Sequence, residues 1–258
     1  MRDAIILVWK FSLLAEAAVA VRLLVQGLAG QYPALMTAMC ILPLKSLMLM
    51  ESLFSKTTVL QVRALNKFLL PVEWVLYAWI VFELFSLWSK SYVGIGRFGK
   101  FLLAALLAGA LLLSLLFGFA EWKALVFSHD FRVYYMMDRV IWGTLALFVL
   151  GIWQFFRKYP VSIAPNVVRH THIAVVYFVV GAICLLLFTL NGVKVVAWAN
   201  IAIVISSASC YCAWAVLLTR RGQVLTPMQQ ISQQDKERIE RINKELLVFM
   251  REVPKNGR

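Results

Sequence analysis

The sequence predicts an all-α polytopic membrane protein: a bundle of seven transmembrane helices (residues 1–221) followed by a cytoplasmic helical tail (residues 222–258). Three observations carry that prediction. Hydrophobic residues make up 62% of the 258-residue chain, against about 45–50% in soluble domains. They fall in blocks, and about 20 mainly apolar residues suffice for one helix to cross a bilayer. From Gln229 onward polar and charged residues take over, so the end of the chain belongs in water.

Seven stretches qualify as spans: Ala4–Leu28, Pro33–Phe54, Lys67–Trp88, Phe101–Ala120, Arg139–Phe156, His172–Leu190 and Val195–Thr219. The fourth, "FLLAALLAGALLLSLLFGFA", is the plainest. The first carries Lys10, Glu16 and Arg22. Arg2, an apolar run and Ala18–Ala20 imitate a cleavable signal peptide there. Lys10 interrupts the apolar run and hydrophobicity resumes at Leu23, so a retained helix is expected.

Net charge is +13, yet the basic residues sit in short loops between apolar blocks, as beside an anionic membrane surface. No aromatic and basic soluble domain is present to bind nucleic acid. Lys and Arg in the loops divide almost evenly between the two sides, and seven more lie in the tail, from Lys236 to Arg258. A tail so charged resists translocation. The expected orientation in a bacterial inner membrane is N-terminus outside, C-terminus cytoplasmic.

Thr226, Pro227 and Gln229 form a helix start, with Thr226 as N-cap and Pro227 in the first turn. Pro254 ends the pattern. Ile239, Ile242, Leu246, Phe249 and Val253 follow a 3-4-3-4 spacing, a seam of about two heptads. That seam suits a second copy, a cytoplasmic partner, the bilayer surface, or the loops of the chain's own bundle.

Charges inside spans cost several kcal/mol unless paired or hydrated. The deep ones are Lys10, Glu16, Lys45, Glu51, Glu73 and Glu83, all in the first three spans. By helix rise, Glu16 and Lys45 lie near the middle of antiparallel neighbours and can meet. Two readings stand. In one, Lys10, Glu51 and Glu73 line an outward polar cavity with Glu16 and Lys45 at its floor, which binds a ligand or ion or relays protons. In the other, these groups are ion pairs that set helix register.

The connection Glu121–Arg139 is rich in aromatics, among them Trp122, Phe131, Tyr134 and Tyr135. It reads as a binding lid or as an amphipathic segment in the interface. "GIGRFG" (Gly94–Gly99) matches a dinucleotide fingerprint but joins two spans instead of a strand and a helix, so a tight turn is expected. His170 and His172, at a helix entrance, are expected to face headgroups or water. Cys40, Cys184, Cys210 and Cys212 lie in apolar segments at spacings unsuited to zinc or a redox pair. No catalytic, metal or cofactor motif stands out, and no enzyme activity is expected.

"QYPALM" (Gln31–Met36) and "RKYPVSIAPNVVRH" (Arg157–His170) resemble segments of uncharacterised bacterial seven-helix membrane proteins. The layout is similar to the seven-helix sensor halves of bacterial signalling kinases. The resemblance implies a sensor fold and covers the bundle; it extends to no phospho-accepting or ATP-binding domain and assigns no functional residue. The expected function is a non-enzymatic sensor or adaptor, in which the tail meets a cytoplasmic protein or a second copy. An ion- or proton-coupled carrier and a structural subunit of a membrane complex are the alternatives.

Overall fold

A computed structural model describes residues 2–54, 59–91, 97–99, 129–158, 163–191, 193–223 and 233–252, with 101, 104, 105, 108, 109 and 112. No strand occurs among the described residues. The α-helices with described bounds are α1 (Arg2–Val25), α2 (Pro33–Phe54), α3 (Val59–Trp88), α4 (His129–Lys158), α5 (Pro165–Asn191), α6 (Val193–Leu217) and the tail helix α7 (Gln233–Glu252). Thus α1 to α3 hold the first three expected spans, α4 to α6 the last three. The fourth stretch lies largely outside the described residues.

Three of these helices contain segments long and apolar enough to cross a membrane: Phe68–Trp88, Pro165–Leu187 and Trp198–Leu217. Pro33–Met48 is a shorter apolar helix. The third, fifth and sixth expected spans sit inside observed helices, the second matches α2 at both ends, and the first and seventh run past the ends of α1 (Val25) and α6 (Leu217) to Leu28 and Thr219. The largest difference lies before the fifth span. There α4 begins at His129, so Phe131, Tyr134 and Tyr135 sit on the opening turns of a helix, not in a loop. Trp122 lies outside the described residues.

The end of α1 follows from local chemistry. Gly27 has φ of 66°, a conformation that costs other residues about 1–2 kcal/mol. The Leu28 N–H then reaches the Leu23 carbonyl at 2.8 Å and the Gly27 N–H reaches that of Leu24 at 3.0 Å. These two bonds satisfy carbonyls the helix end would otherwise orphan. Leu23 and Leu28, which flank the turn, are both buried. Pro33 opens α2 and Pro165 opens α5, where a missing N–H costs nothing.

The helices pack as a closed ring in the order α1, α2, α3, α4, α5, α6 and back to α1, with α3 also touching α5 across the middle. Partners along each pair give the directions. Trp74 meets Asp138 and Phe85 meets Phe148, so α3 and α4 run parallel. Tyr77 meets Tyr177 and Trp88 meets Thr171, so α3 and α5 are antiparallel. Glu16 contacts Tyr211, and Gln26 accepts from the Arg220 N–H, so α1 and α6 are parallel. One end of the bundle, the junction end, therefore collects the C-termini of α1, α3, α4 and α6 and the N-termini of α2 and α5.

Gly27→Ala should lower the unfolding free energy by about 1–2 kcal/mol, read as a drop in the thermal midpoint of the detergent-solubilised chain. Gly30→Ala, at a glycine with no atom within 4 Å of an added Cβ and no positive φ, should leave the midpoint unchanged.

Candidate functional site

Two polar layers lie inside the ring. The first sits in the middle of the bundle. Lys45 on α2 and Glu73 on α3 form an ion pair whose side chains are 14% and 17% exposed. Each follows an internal proline by two residues: Pro43 in α2 and Pro71 in α3. A proline frees the carbonyl one turn before it, so both charged side chains project from helix segments already short of a hydrogen bond.

From Glu73 a chain of hydroxyls crosses the ring. The Tyr77 hydroxyl donates to Glu73 Oε1 at 2.5 Å. It meets the Tyr177 hydroxyl of α5 at 2.8 Å. Tyr177 meets the Tyr211 hydroxyl of α6 at 3.2 Å. Tyr211 in turn lies beside the Glu16 carboxyl on α1, close enough to act on it. Glu16 is 6% exposed, and its Oε2 has no hydrogen-bond partner. Lys45 and Glu73 are both close enough to act on the Glu16 charge. Beside this chain, the Trp74 indole donates to Asp138 Oδ1 at 2.8 Å, and Trp142 packs edge-on against Tyr77.

The second layer is at the junction end. Glu83, 8% exposed, turns its carboxylate to the start of α2. It accepts from the Ala34 N–H at 2.6 Å and from the Leu35 N–H at 3.4 Å. A carboxylate there satisfies orphan donors and the positive end of the helix dipole. His170 is fully buried, contrary to the expected exposure. Its Nδ1 accepts from the Trp214 indole at 2.9 Å, and its Nε2 points to Glu83 Oε1 at 3.9 Å without a hydrogen-bond partner. Its ring stands edge-on to Tyr32. His172 is exposed and accepts from Trp153 at 2.8 Å. An open cleft of about 500 Å³ lies outside this layer, lined by Pro33, Trp79, Phe82, Glu83, Ser86 and Lys90 among others.

The same end clamps the exit of α6. Asn166 holds Thr219 at both amide atoms, donating to its carbonyl at 2.7 Å and accepting from its N–H at 3.3 Å. Arg169 donates to the Leu217 carbonyl at 2.9 Å, a cation on a helix C-terminus. Gln223 donates to the Tyr32 hydroxyl at 2.7 Å. Gly222 lies against Asn166 so closely that a Cβ would overlap the amide.

The expected polar site is thus brought together in part. Glu16, Lys45 and Glu73 share the middle layer. Lys45 pairs with Glu73 instead of Glu16, which lies beside Tyr211. Lys10 is exposed on the surface of the bundle, and Glu83 belongs to the junction end. The Glu51 side chain lies outside the described ones, as do those of Phe131, Tyr134, Tyr135 and Phe249. Tyr77, Tyr177, Tyr211 and Asp138 were not expected in the site. One signal pointed to the first of them: Tyr77 is four residues after Glu73, on the same helix face.

On the tail, Ile239 is 3% exposed, Ile242 and Leu246 are half-buried, and Val248 is 52% exposed. The seam is therefore covered at Ile239 and half-covered at Ile242 and Leu246. Comparison of the chain with family models, curated proteins and solved structures finds no match.

Lys45→Met should destabilise the protein by roughly 3 kcal/mol, the low end for breaking a buried pair, since both side chains keep some exposure. The double change Lys45→Met with Glu73→Gln should recover much of that loss. Thermal melts of both variants in one detergent check this; a double variant no more stable than the single one would remove the pair's role in stability.

Proposed function

We propose that this chain is a seven-span protein of the bacterial inner membrane that acts as a non-enzymatic sensor or adaptor, its N-terminus outside and its tail cytoplasmic. The observation that carries this reading is the clamp on the exit of α6. Residues from the α1–α2 turn and from α5 hold Leu217–Gln223, the segment that leads into the tail. A shift among those helices is therefore felt where the tail departs. That is the coupling a sensor needs: one element whose position is biased by the packed body.

The seven-span count draws support from helix direction. Because α3 and α4 run parallel, this reading needs one further crossing between them, and the fourth apolar stretch is long enough to supply it. Gly99 lies directly against Phe85, placing the start of that stretch beside the C-terminal half of α3. The arrangement leaves the start of α1 and the exit of α6 at opposite ends. The tail's half-open seam supports contact with a cytoplasmic partner or a second copy, with Ile239 already sheltered by the chain itself and Leu246 half-available.

The test is recovery of bound protein in mild detergent. The tagged full chain should retain a discrete cytoplasmic protein or a second, differently tagged copy. Deletion of Thr226–Arg258, or Leu246→Glu, should abolish that recovery while membrane insertion is unchanged. Equal recovery with and without the tail would contradict the adaptor reading.

A further inference from the structure

The middle layer contains a row of three hydrogen-bonded phenol oxygens that runs from the Glu73 carboxyl to the side of Glu16. We propose that it is a proton relay, in which Tyr211, Tyr177 and Tyr77 carry a proton between Glu16 on α1 and Glu73 on α3. The proposal stands apart from the adaptor reading, since it concerns the bundle interior and not the tail.

The geometry supplies three hydrogen-bonded links from Glu73 to Tyr211 and sets Tyr211 beside Glu16. Glu73 is the entry, because it and its partner Lys45 retain some exposure, whereas Glu16 is sealed. The three hydroxyls come from three helices, α3, α5 and α6, and each has an oxygen neighbour on either side. Packing alone does not require this. Phenylalanine would fill the same ring positions, and the rings already pack on one another and on Trp142 and Trp214. A buried hydroxyl without a partner is costly, so the three phenols need one another. Lined up, they also form a path.

The transfer balances atom by atom. With the proton on Glu16, its O–H donates to Tyr211, Tyr211 to Tyr177, Tyr177 to Tyr77, and Tyr77 to the Glu73 carboxylate. Each donor then gives its proton to the next oxygen. The Glu16 O–H bond breaks, an O–H bond forms on Glu73, and each tyrosine loses one proton and gains another. All three phenols end neutral, and every hydrogen bond has reversed its sense. One positive charge has moved from α1 to α3, toward Lys45. No redox partner is involved. The Tyr177–Tyr211 link, at 3.2 Å, is longer than the Tyr77–Tyr177 and Tyr77–Glu73 links.

Hydrogen–deuterium exchange of the protonated carboxyls tests this. The full chain in lipid vesicles is placed in D2O, and the carboxylic C=O stretch, which shifts on deuteration, is followed by infrared spectroscopy. Glu16→Gln and Glu73→Gln assign the bands. In the unsubstituted protein the Glu16 band should exchange through Glu73. Tyr177→Phe keeps the ring and removes the link; it should slow exchange at Glu16 about tenfold or more, the effect of roughly 1.4 kcal/mol on a barrier, and leave exchange at Glu73 unchanged. Tyr77→Phe and Tyr211→Phe cut neighbouring links and should act alike. Equal Glu16 exchange in the unsubstituted and cut proteins would overturn the relay, as would the absence of a protonated band from either carboxyl at acidic or neutral pH. Loss of the folded state in all three phenylalanine variants would also overturn it, because the hydroxyls would then be structural.

Discussion

A charged side chain among apolar helices has to find its partner inside the protein, and Glu73 is where that demand is met. One oxygen of its carboxylate holds Lys45 and the other accepts the Tyr77 hydroxyl. From those two contacts the interior order of the bundle follows. Lys45 ties α2 to α3, Tyr77 ties α3 to α5 through Tyr177, and Tyr211 extends the connection to α6 and so to Glu16 on α1. Four helices, α2, α3, α5 and α6, thus share one hydrogen-bonded system, with Glu16 of α1 beside its far end. The fixed partners also set the register between neighbours, because sliding any helix by one turn would strand a buried polar group.

Polar partners do the same work at the junction end, by a different means. There the groups to be satisfied are mostly backbone: the first N–H groups of α2 and the last carbonyls of α6. Glu83 serves the first set from α3, and Asn166 and Arg169 serve the second from α5. Helix ends inside an apolar assembly lack water to complete them. Side chains supplied from across the ring replace it and hold the α6 exit to the bundle.

Much of this was legible from the residues in order. Apolar blocks located the helices, and α2 was placed to the residue because Pro33 marks its start. Depth along a helix was legible for Glu16 and Lys45, expected near mid-span, whereas Glu73, expected to line the cavity above them, shares their layer. Angle around the helix was read less well. Lys10 and Glu16 are six residues apart, about 240° around an α-helix, so they cannot share a face, and Lys10 is exposed. Glu73 and Glu83 are ten apart, roughly 15 Å along the axis, which separates the two layers. The tyrosines were silent because Tyr in an apolar span has the same pattern whether its hydroxyl bonds a neighbour or the headgroups. His170 was misread because α5 starts at Pro165 and not at His172; the histidine therefore lies more than a turn inside the helix. The partners at the α6 exit join residues some 50 to 190 positions apart, and no local pattern announces such pairs.

Interior partners hold α1 and α6, and likewise α3 and α4, parallel, and the proposed seven-span reading takes this to mean that the chain crosses the bilayer an odd number of times. Compartment-specific labelling measures this most directly. In a variant with Cys40, Cys184, Cys210 and Cys212 replaced, single cysteines are placed at Asp3 and at Arg241 and treated with an impermeant maleimide in intact cells. The account predicts that the cysteine at 3 reacts in intact cells and the one at 241 only after permeabilisation. Identical behaviour at the two positions would contradict it.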